Sequence, residues 1–361
     1  MKKIIISLFC MSIFVIGCCL FSACDNGKHK LEFYVNGELY EIIKTSGNEK
    51  IVLPDIPTNF EQIFDGWYFE GTSVELTSDT YITTALTANK KIIANMVNLF
   101  VFDDEEQEIL HLTDRAKELV VNLTIPSKIN GVTVKKIGDG AFYWNEKLNS
   151  VSFPNSIESI GNQAFYECGY IRSIRIPASV KDIGDNAFSH LWRATELVFE
   201  TNSQLIKIGN GAFYGWQNIS SVLIPSSVKT IGELAFYQCT NLETLIFEDD
   251  SQLTTIGNQA FYQNKIETLT LPNSLEFLGS FVFEYCESLK YVIIPSSVLN
   301  IGYGLFYNTN RDNIKIYCEA KNKPEGWNEN WALWCYGYNE YQVTVYWGDS
   351  WTLIDNVPEL I

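Results

Sequence analysis

Three cysteines in this 361-residue chain, Cys168, Cys239 and Cys286, are of a type that could serve as nucleophile or metal ligand. A catalytic thiol needs one cysteine beside a base, and a metal site needs ligands that converge within a few ångströms. These three each follow an Ile-Gly or Leu-Gly pair by eight residues, after Ile160, Ile231 and Leu278. They therefore hold one place in three non-adjacent copies of a unit, which predicts buried apolar filler. The histidines, His29, His111 and His190, form no H-x-x-x-H or Cys–His spacing. The acidic stretch FDDEEQE (102–108) lacks the D-x-D-x-D-G alternation of a calcium loop and predicts a solvated face. No catalytic, cofactor-binding or metal-ligating set is expected, so the chain is expected not to be an enzyme.

The pair that positions these cysteines recurs at Ile137, Ile160, Ile183, Ile208, Ile231, Ile256, Leu278 and Ile301, at steps of 23, 23, 25, 23, 25, 22 and 23 residues. Periods of this size mean stacked supersecondary units. The two 25-residue steps carry polar insertions, ETNSQ (200–204) and EDDSQ (248–252). Within the units, LNSVSFP (148–154), IRSIRIP (171–177), ISSVLIP (219–225), LETLIFE (242–248), IETLTLP (266–272) and LKYVIIP (289–295) alternate apolar with polar residues. That predicts one short strand per unit, stopped in most of them by proline, which cannot donate to the next rung. Ile-Gly is then expected to bend, and Ala-Phe-Tyr to form a short helical or irregular turn that drives a ring inward. One unit cannot bury its apolar side alone. Stacked units share a core, with the strands forming a parallel sheet along one side.

The pattern L-x-x-[IV]-x-[IL]-P-x-S-[IV]-x-x-I-G-x-x-A-F-x-x-C resembles the BspA-type leucine-rich repeat, over about 125–317. LTIPSKINGVTVKKIGDGAF (123–142) is similar to that family's first unit, and IYCEAKNKPEGWNENW (316–331) with VTVYWG (343–348) to its ending. The resemblance implies a mixed α/β fold, a right-handed leucine-rich-repeat solenoid with a parallel sheet of short strands. It also implies an adhesin, binding matrix proteins or host and microbial surfaces.

Ahead of the repeats, LEFYV (31–35) and ELYEII (38–43) flank Asn36-Gly37, a pair whose tolerance of positive φ signals a hairpin. FDGWYFEGTSV (64–74) and YITTALTANKKIIA (81–94) follow. Phe64, Gly66, Trp67 and Tyr68, with Leu86, Thr87, Ala88 and Asn89, resemble the B repeat of internalin-type surface proteins. That implies a small, mainly-β, β-grasp-like module serving as a spacer or adhesin accessory. Trp67 and Tyr68 are expected to close its small core rather than stack on sugar.

The opening, MKKIIISLFCMSIFVIGCCLFSAC, has a positive start, an apolar middle and small residues, as a secretory signal peptide does. Its length also allows an uncleaved anchor. Phe21-Ser22-Ala23-Cys24 resembles the bacterial lipoprotein box, which implies removal of 1–23 and lipid on Cys24. The expected location is the outer membrane or cell surface of a Gram-negative, Bacteroides-like cell, with the lipid anchor holding the chain to the membrane. The remaining chain would carry 24 basic and 43 acidic residues, a formal charge of −19, which disfavours nucleic acid as a partner. The expected division is signal 1–23, linker 24–30, β module 31–95, N-terminal cap and first repeat 96–136, repeats 137–317, and C-terminal cap and tail 318–361. Cys318 and Cys335 flank a cap rich in tryptophan (Trp327, Trp331, Trp334, Trp347). They either close a disulfide in the oxidising envelope or remain as two buried thiols, while the tryptophans seal the end of the core.

Side chains that point away from the core form two columns on the strand face. One runs Ser152, Arg175, Val198, Leu223, Ile246, Thr270 and Ile293, and the other Ser150, Ser173, Glu196, Ser221, Thr244, Thr268 and Tyr291. The mildly apolar second half, Leu223, Ile246 and Ile293 flanked by Glu243 and Tyr291, is either a protein-partner patch or an ordinary sheet surface. A carbohydrate-binding accessory of a glycan-uptake system would instead need exposed aromatics, with Trp144, Trp192, Trp216 and Tyr291 as candidates.

Overall fold

The computed structural model describes residues 29–45, 52–54, 61–71, 75–76, 90–309, 314–336, 339–354 and 357–361. The signal segment, Cys24 and Leu86–Asn89 lie outside the described residues. The chain divides into two compact units, Met1–Ile56 with Asp65–Met96, and Pro57–Phe64 with Val97–Ile361.

The first unit is a five-stranded sheet in the order Glu38–Thr45, His29–Val35, Lys90–Asn98, Gln62–Phe69, Glu75–Leu76. Asn36 (φ 50°) and Gly37 (φ 86°) are both left-handed, as the hairpin turn requires. Trp67 is buried edge-on to Phe33, ring centres 4.9 Å apart, and its Nε1 donates to the Pro54 carbonyl at 3.2 Å. Trp67 is core, and Tyr68 is half-buried.

In the second unit the Ile and Leu anchors do not bend. They are two-residue parallel strands, Lys136–Ile137, Ser159–Ile160, Asp182–Ile183, Lys207–Ile208, Thr230–Ile231, Thr255–Ile256, Phe277–Leu278 and Asn300–Ile301. With Glu108–Leu112 and the antiparallel Phe100–Asp103 they make one ten-stranded sheet. The glycine after each anchor is the cause. A Cβ on Gly209 would stand 2.5 Å from the Gly184 carbonyl carbon, and one on Gly232 2.7 Å from the Asn210 nitrogen. Without side chains, successive backbones approach closely enough to pair.

The strands expected to form a continuous face do form, but in pieces. Ser150–Ser152 pairs with Asn122–Thr124, Ser173–Ile176 with Glu196–Phe199, and Ser221–Ile224 with Thr244–Phe247. Thr268–Thr270, Tyr291–Ile294, Lys315–Cys318 and Thr344–Trp347 make a four-stranded piece. Two of the three breaks follow the units that carry the polar insertions. The Ala-Phe-Tyr segments are hydrogen-bonded turns, not helices. Each has left-handed residues three and seven positions after its anchor, such as Gln163 and Glu167, Leu234 and Gln238, or Phe281 and Tyr285. Among the described residues the one α-helix is Asp114–Leu119, where the Thr113 hydroxyl accepts from the Ala116 N–H.

Inside, one phenylalanine per turn forms a stack: Phe142, Phe165, Phe188, Phe213, Phe236, Phe261, Phe283 and Phe306. Adjacent ring centres are 4.7 to 5.9 Å apart and the rings within 20° of parallel. Polar side chains tie turn to turn outside the stack. Asp139 Oδ1 accepts from the Asn162 N–H (2.6 Å), Asn162 from Asp185 (2.8 Å), Asp185 from Asn210 (2.8 Å), and Asn210 from Glu233 (2.9 Å). Ser179, Ser227, Ser274 and Ser297 each donate to a carbonyl of the preceding turn, Ile157, Leu205, Leu253 and Leu275. Backbone groups that a lone turn would leave unpaired are thereby satisfied by the neighbouring one.

At the C-terminal end Trp327 and Trp331 join the core, Trp331 beside Phe306, and Trp327 Nε1 donates to the Val298 carbonyl at 2.9 Å. Cys318 is a free, buried thiol, so the bridge to Cys335 is not formed. Strand parity explains it: Ile316 and Cys318 share the inward face of Lys315–Cys318 and belong to the solenoid core. Cys335 belongs to a separate hairpin, Leu333–Tyr336 with Asn339–Gln342, and its side chain lies outside the described residues.

Candidate functional site

Parallel pairing puts Leu223 directly beside Ile246, and Arg175 beside Val198. Leu223 is 48% and Ile246 51% exposed, while their strand neighbours Val222 and Leu245 are buried. Ser152, Arg175, Thr270, Ser221, Thr244 and Glu243 are exposed and Val198 is half-buried. The two apolar side chains thus stand side by side within a mostly polar face.

Ile293 does not belong to that surface. It is 3% exposed, and its rung neighbour Tyr317 is 2% exposed. The final hairpin, Trp351–Ile354 with Val357–Leu360, packs on the next rung, at Tyr317. Trp351 packs against Tyr317 (ring centres 5.4 Å) and donates from Nε1 to the Cys318 carbonyl at 3.1 Å. Val357 and buried Pro358 line one depression with Glu267, Lys290, Tyr291 and Tyr317. Tyr291 is half-buried at its edge. WTLIDNVPEL (351–360) reads as a tail in sequence, and since Leu353 and Val357 are exposed while Trp351 and Pro358 pack, apolar alternation gave no signal of the hairpin.

The candidate aromatics separate in the same way. Trp216 is fully buried, with Nε1 donating to the Phe188 carbonyl at 2.6 Å, and serves the core. Trp144 is 59% and Trp192 41% exposed on the turn edge. Beneath them runs a second column of rings, Tyr143, Tyr166, His190, Tyr214, Tyr237, Tyr262 and Tyr285, with centres 4.2 to 5.4 Å apart. Most of these rings cover one another's faces, leaving edges for solvent. His190 sits between Tyr166 and Tyr214, with Nδ1 2.8 Å from Ser189 Oγ, and burial holds its pKa below the usual imidazole range. His111 is exposed, and the His29 side chain lies outside the described residues.

The repeated cysteines are buried, and they are more than filler. Cys168 donates to the Phe142 carbonyl at 3.0 Å, Cys239 to Phe213 at 3.4 Å, and Cys286 to Phe261 at 3.1 Å. Trp216 performs the same service from the equivalent position. Burial pushes all three thiols up to about 12, so at neutral pH they stay protonated, which is the state that donates to those carbonyls. FDDEEQE forms the turn of a hairpin, in which Asp103 Oδ1 accepts from the N–H groups of Glu105 and Glu106.

The model of the BspA type leucine rich repeat region matches six copies, over residues 118–208 and 206–326. No curated protein matches the chain. Among solved structures, a leucine-rich repeat protein from Bacteroides ovatus is 24% identical, with a TM-score of 0.46, covering 65% of this chain and 61% of its own. A leucine-rich repeat protein of T. pallidum is 23% identical, TM-score 0.43, covering 59% and 86%. A leucine rich cell surface protein from Faecalibacterium prausnitzii is 21% identical, TM-score 0.40, covering 64% and 83%. The chain spans 61% of the length of the first of these.

Proposed function

This chain belongs to the BspA-type leucine-rich repeat family, and from that premise we propose a non-enzymatic cell-surface binding protein, an adhesin for a protein on a host or microbial surface. The observation that carries the reading is the outward pair Leu223 and Ile246, two large apolar side chains half in water on a face whose other positions are mostly polar. Exposed apolar surface rimmed by polar residues marks partner sites, and the affinity concentrates where such side chains are desolvated. Arg175 and Val198 on the preceding turns, Glu243 just before the Ile246 strand and Tyr291 on a later turn extend the proposed face. Residues 1–23 act as a signal, Cys24 carries lipid, and the 31–95 module is a spacer or accessory. Mass spectrometry of the mature N-terminus tests the anchor: an unmodified Cys24, or a retained signal, refutes it.

The binding test is an array of host matrix and bacterial surface proteins probed with residues 24–361. Leu223→Asp with Ile246→Asp should weaken capture of an identified partner by about 1–3 kcal/mol while Tm stays near the parent's. If the double variant binds like the parent and removal of 31–95 abolishes binding, the solenoid is a stalk and the small module is the head.

A further inference from the structure

Arg172, Arg175 and Arg193 are three of the chain's five arginines, all within turns two and three. All three are exposed, and none makes an ion pair among the described residues. Lysines of the solenoid do find acids, as in Lys136–Glu106, Lys181–Glu158 and Lys290–Glu267. In a chain of net charge −17, these are three permanent cations without an acidic partner on adjacent turns. Glu196 is the one acid on the two strands concerned, Ser173–Ile176 and Glu196–Phe199.

The turns that carry the three arginines are paired backbone to backbone, and one of the side chains is fixed in place. The Thr195 N–H donates to the Arg172 carbonyl at 2.8 Å, and Arg175 pairs with Val198. The Arg193 guanidinium lies 4.1 Å from the centre of the Tyr170 ring, a cation–π contact that holds the group while leaving its N–H fork toward solvent. The Trp192 ring rests on the Gly169 backbone, where a Cβ would come within 2.5 to 2.7 Å of three ring atoms. Tyr170 and Trp192 are each 41% exposed.

We propose that this patch binds an acidic polysaccharide, with a sugar ring stacked on Trp192 and its carboxylate or sulfate groups held by Arg172, Arg193 and Arg175. An aromatic plane attracts the C–H face of a sugar ring, and a guanidinium fork matches planar anions two N–H groups at a time. Turns stand about 4.8 Å apart, comparable to one sugar residue, so successive turns can meet successive sugars. The site lies on turns other than those of Leu223 and Ile246, so either assignment can fail without the other.

The test is titration of the full chain with polygalacturonate and dextran sulfate, with neutral dextran and polyglutamate as comparisons. Polygalacturonate or dextran sulfate should bind in a salt-sensitive manner, and dextran and polyglutamate at least about tenfold more weakly. Arg172→Ala with Arg193→Ala should weaken binding about tenfold or more, and Trp192→Leu should do so at unchanged Tm. The charge-matched Lys207→Ala with Lys229→Ala, the one in the ten-stranded sheet and the other just before its next strand, should stay within about twofold. Parent-like binding by the arginine variant overturns the proposal, and so does equal loss in the lysine variant. Equal affinity for polyglutamate, with Trp192→Leu silent, would make the patch a plain anion site and overturn the glycan assignment.

Discussion

Replacing Gly209 with alanine should be among the most damaging small changes in the chain. The new methyl would lie 2.5 Å from the Gly184 carbonyl carbon, 2.6 Å from its oxygen and 2.7 Å from the Asp185 nitrogen. Carbon atoms rest at about 3.5–4 Å, so the two turns must part by roughly 1 Å. All three neighbours are backbone atoms, and none can rotate away. Parting stretches the Gly209 N–H bond to Ile183 and the Asn210 N–H bond to Asp185 Oδ1, both 2.8 Å, along with the Ile183–Ile208 rung. Two or three weakened hydrogen bonds at about 1 kcal/mol each, plus about 1–3 kcal/mol of overpacking strain, give a loss of about 3–6 kcal/mol. Gly131→Ala is the comparison, because Gly131 (φ +82°) has nothing within 4 Å of a Cβ. It should cost only the left-handed penalty of about 1–2 kcal/mol, partly offset by a stiffer unfolded chain. Urea unfolding followed by tryptophan fluorescence and circular dichroism measures both. Equal losses in the two variants, or a Gly209→Ala loss under about 1 kcal/mol, would refute close approach as the reason for the repeated Ile-Gly.

Two further outcomes follow from the buried polar groups. Cys168, Cys239 and Cys286, pushed up to about 12 by burial, should resist alkylation at pH 8 in the folded protein and react fully in denaturant; mass spectrometry after labelling reads this directly, and rapid native labelling would contradict it. His190, whose pKa burial lowers against an opposing pull from Glu167, binds its proton more readily in the unfolded chain. Its contribution to stability is therefore present above about pH 6.5 and is lost as the pH falls through the lower folded value. Burial raises Glu108 and Glu284, which acts in the opposite direction, so the difference in Tm between the parent and His190→Phe isolates the histidine. A difference that does not change from pH 7.5 to 5 would be inconsistent with this assignment.

The period and the core phenylalanines were legible because apolar residues recur in step, and Trp327 and Trp331 because they cluster just after the last repeat. Leu245 points inward as strand alternation implies, and Phe236 as its Ala-Phe-Tyr turn implies. What the Ile-Gly pair does was misread, since a glycine beside a chain bend and a glycine beside another backbone look alike in one dimension. The left-handed positions were hidden for a related reason: glycine marks them in Gly140, Gly211, Gly215 and Gly304, but Leu234, Phe281 and Trp144 occupy them elsewhere. The acceptors Asp139, Asn162, Asp185 and Asn210 recur two residues after their anchors, and that short-polar regularity could have been read. Ile293 was placed on the open face because strand parity says nothing of a hairpin that packs on its rung neighbour, Tyr317, from further along the chain.

The ties between turns have a genetic consequence. Asp139 serves Asn162, Asn162 serves Asp185, and Asp185 serves Asn210, so each turn offers its successor the same acceptor that it takes from its predecessor. Excising the 23 residues from Ile160 to Asp182 would bring Ile183 into the step after Ile137, with Asp139 positioned to receive the Asp185 N–H. Duplicating them would repeat the handover once more. Unequal recombination within such a gene therefore lengthens or shortens the array by whole turns, without a reading of register at the join. The two ends are exempt: Phe100–Leu112 and the Trp327–Trp331 segment each present a side that no internal turn can match, so length drifts between fixed termini.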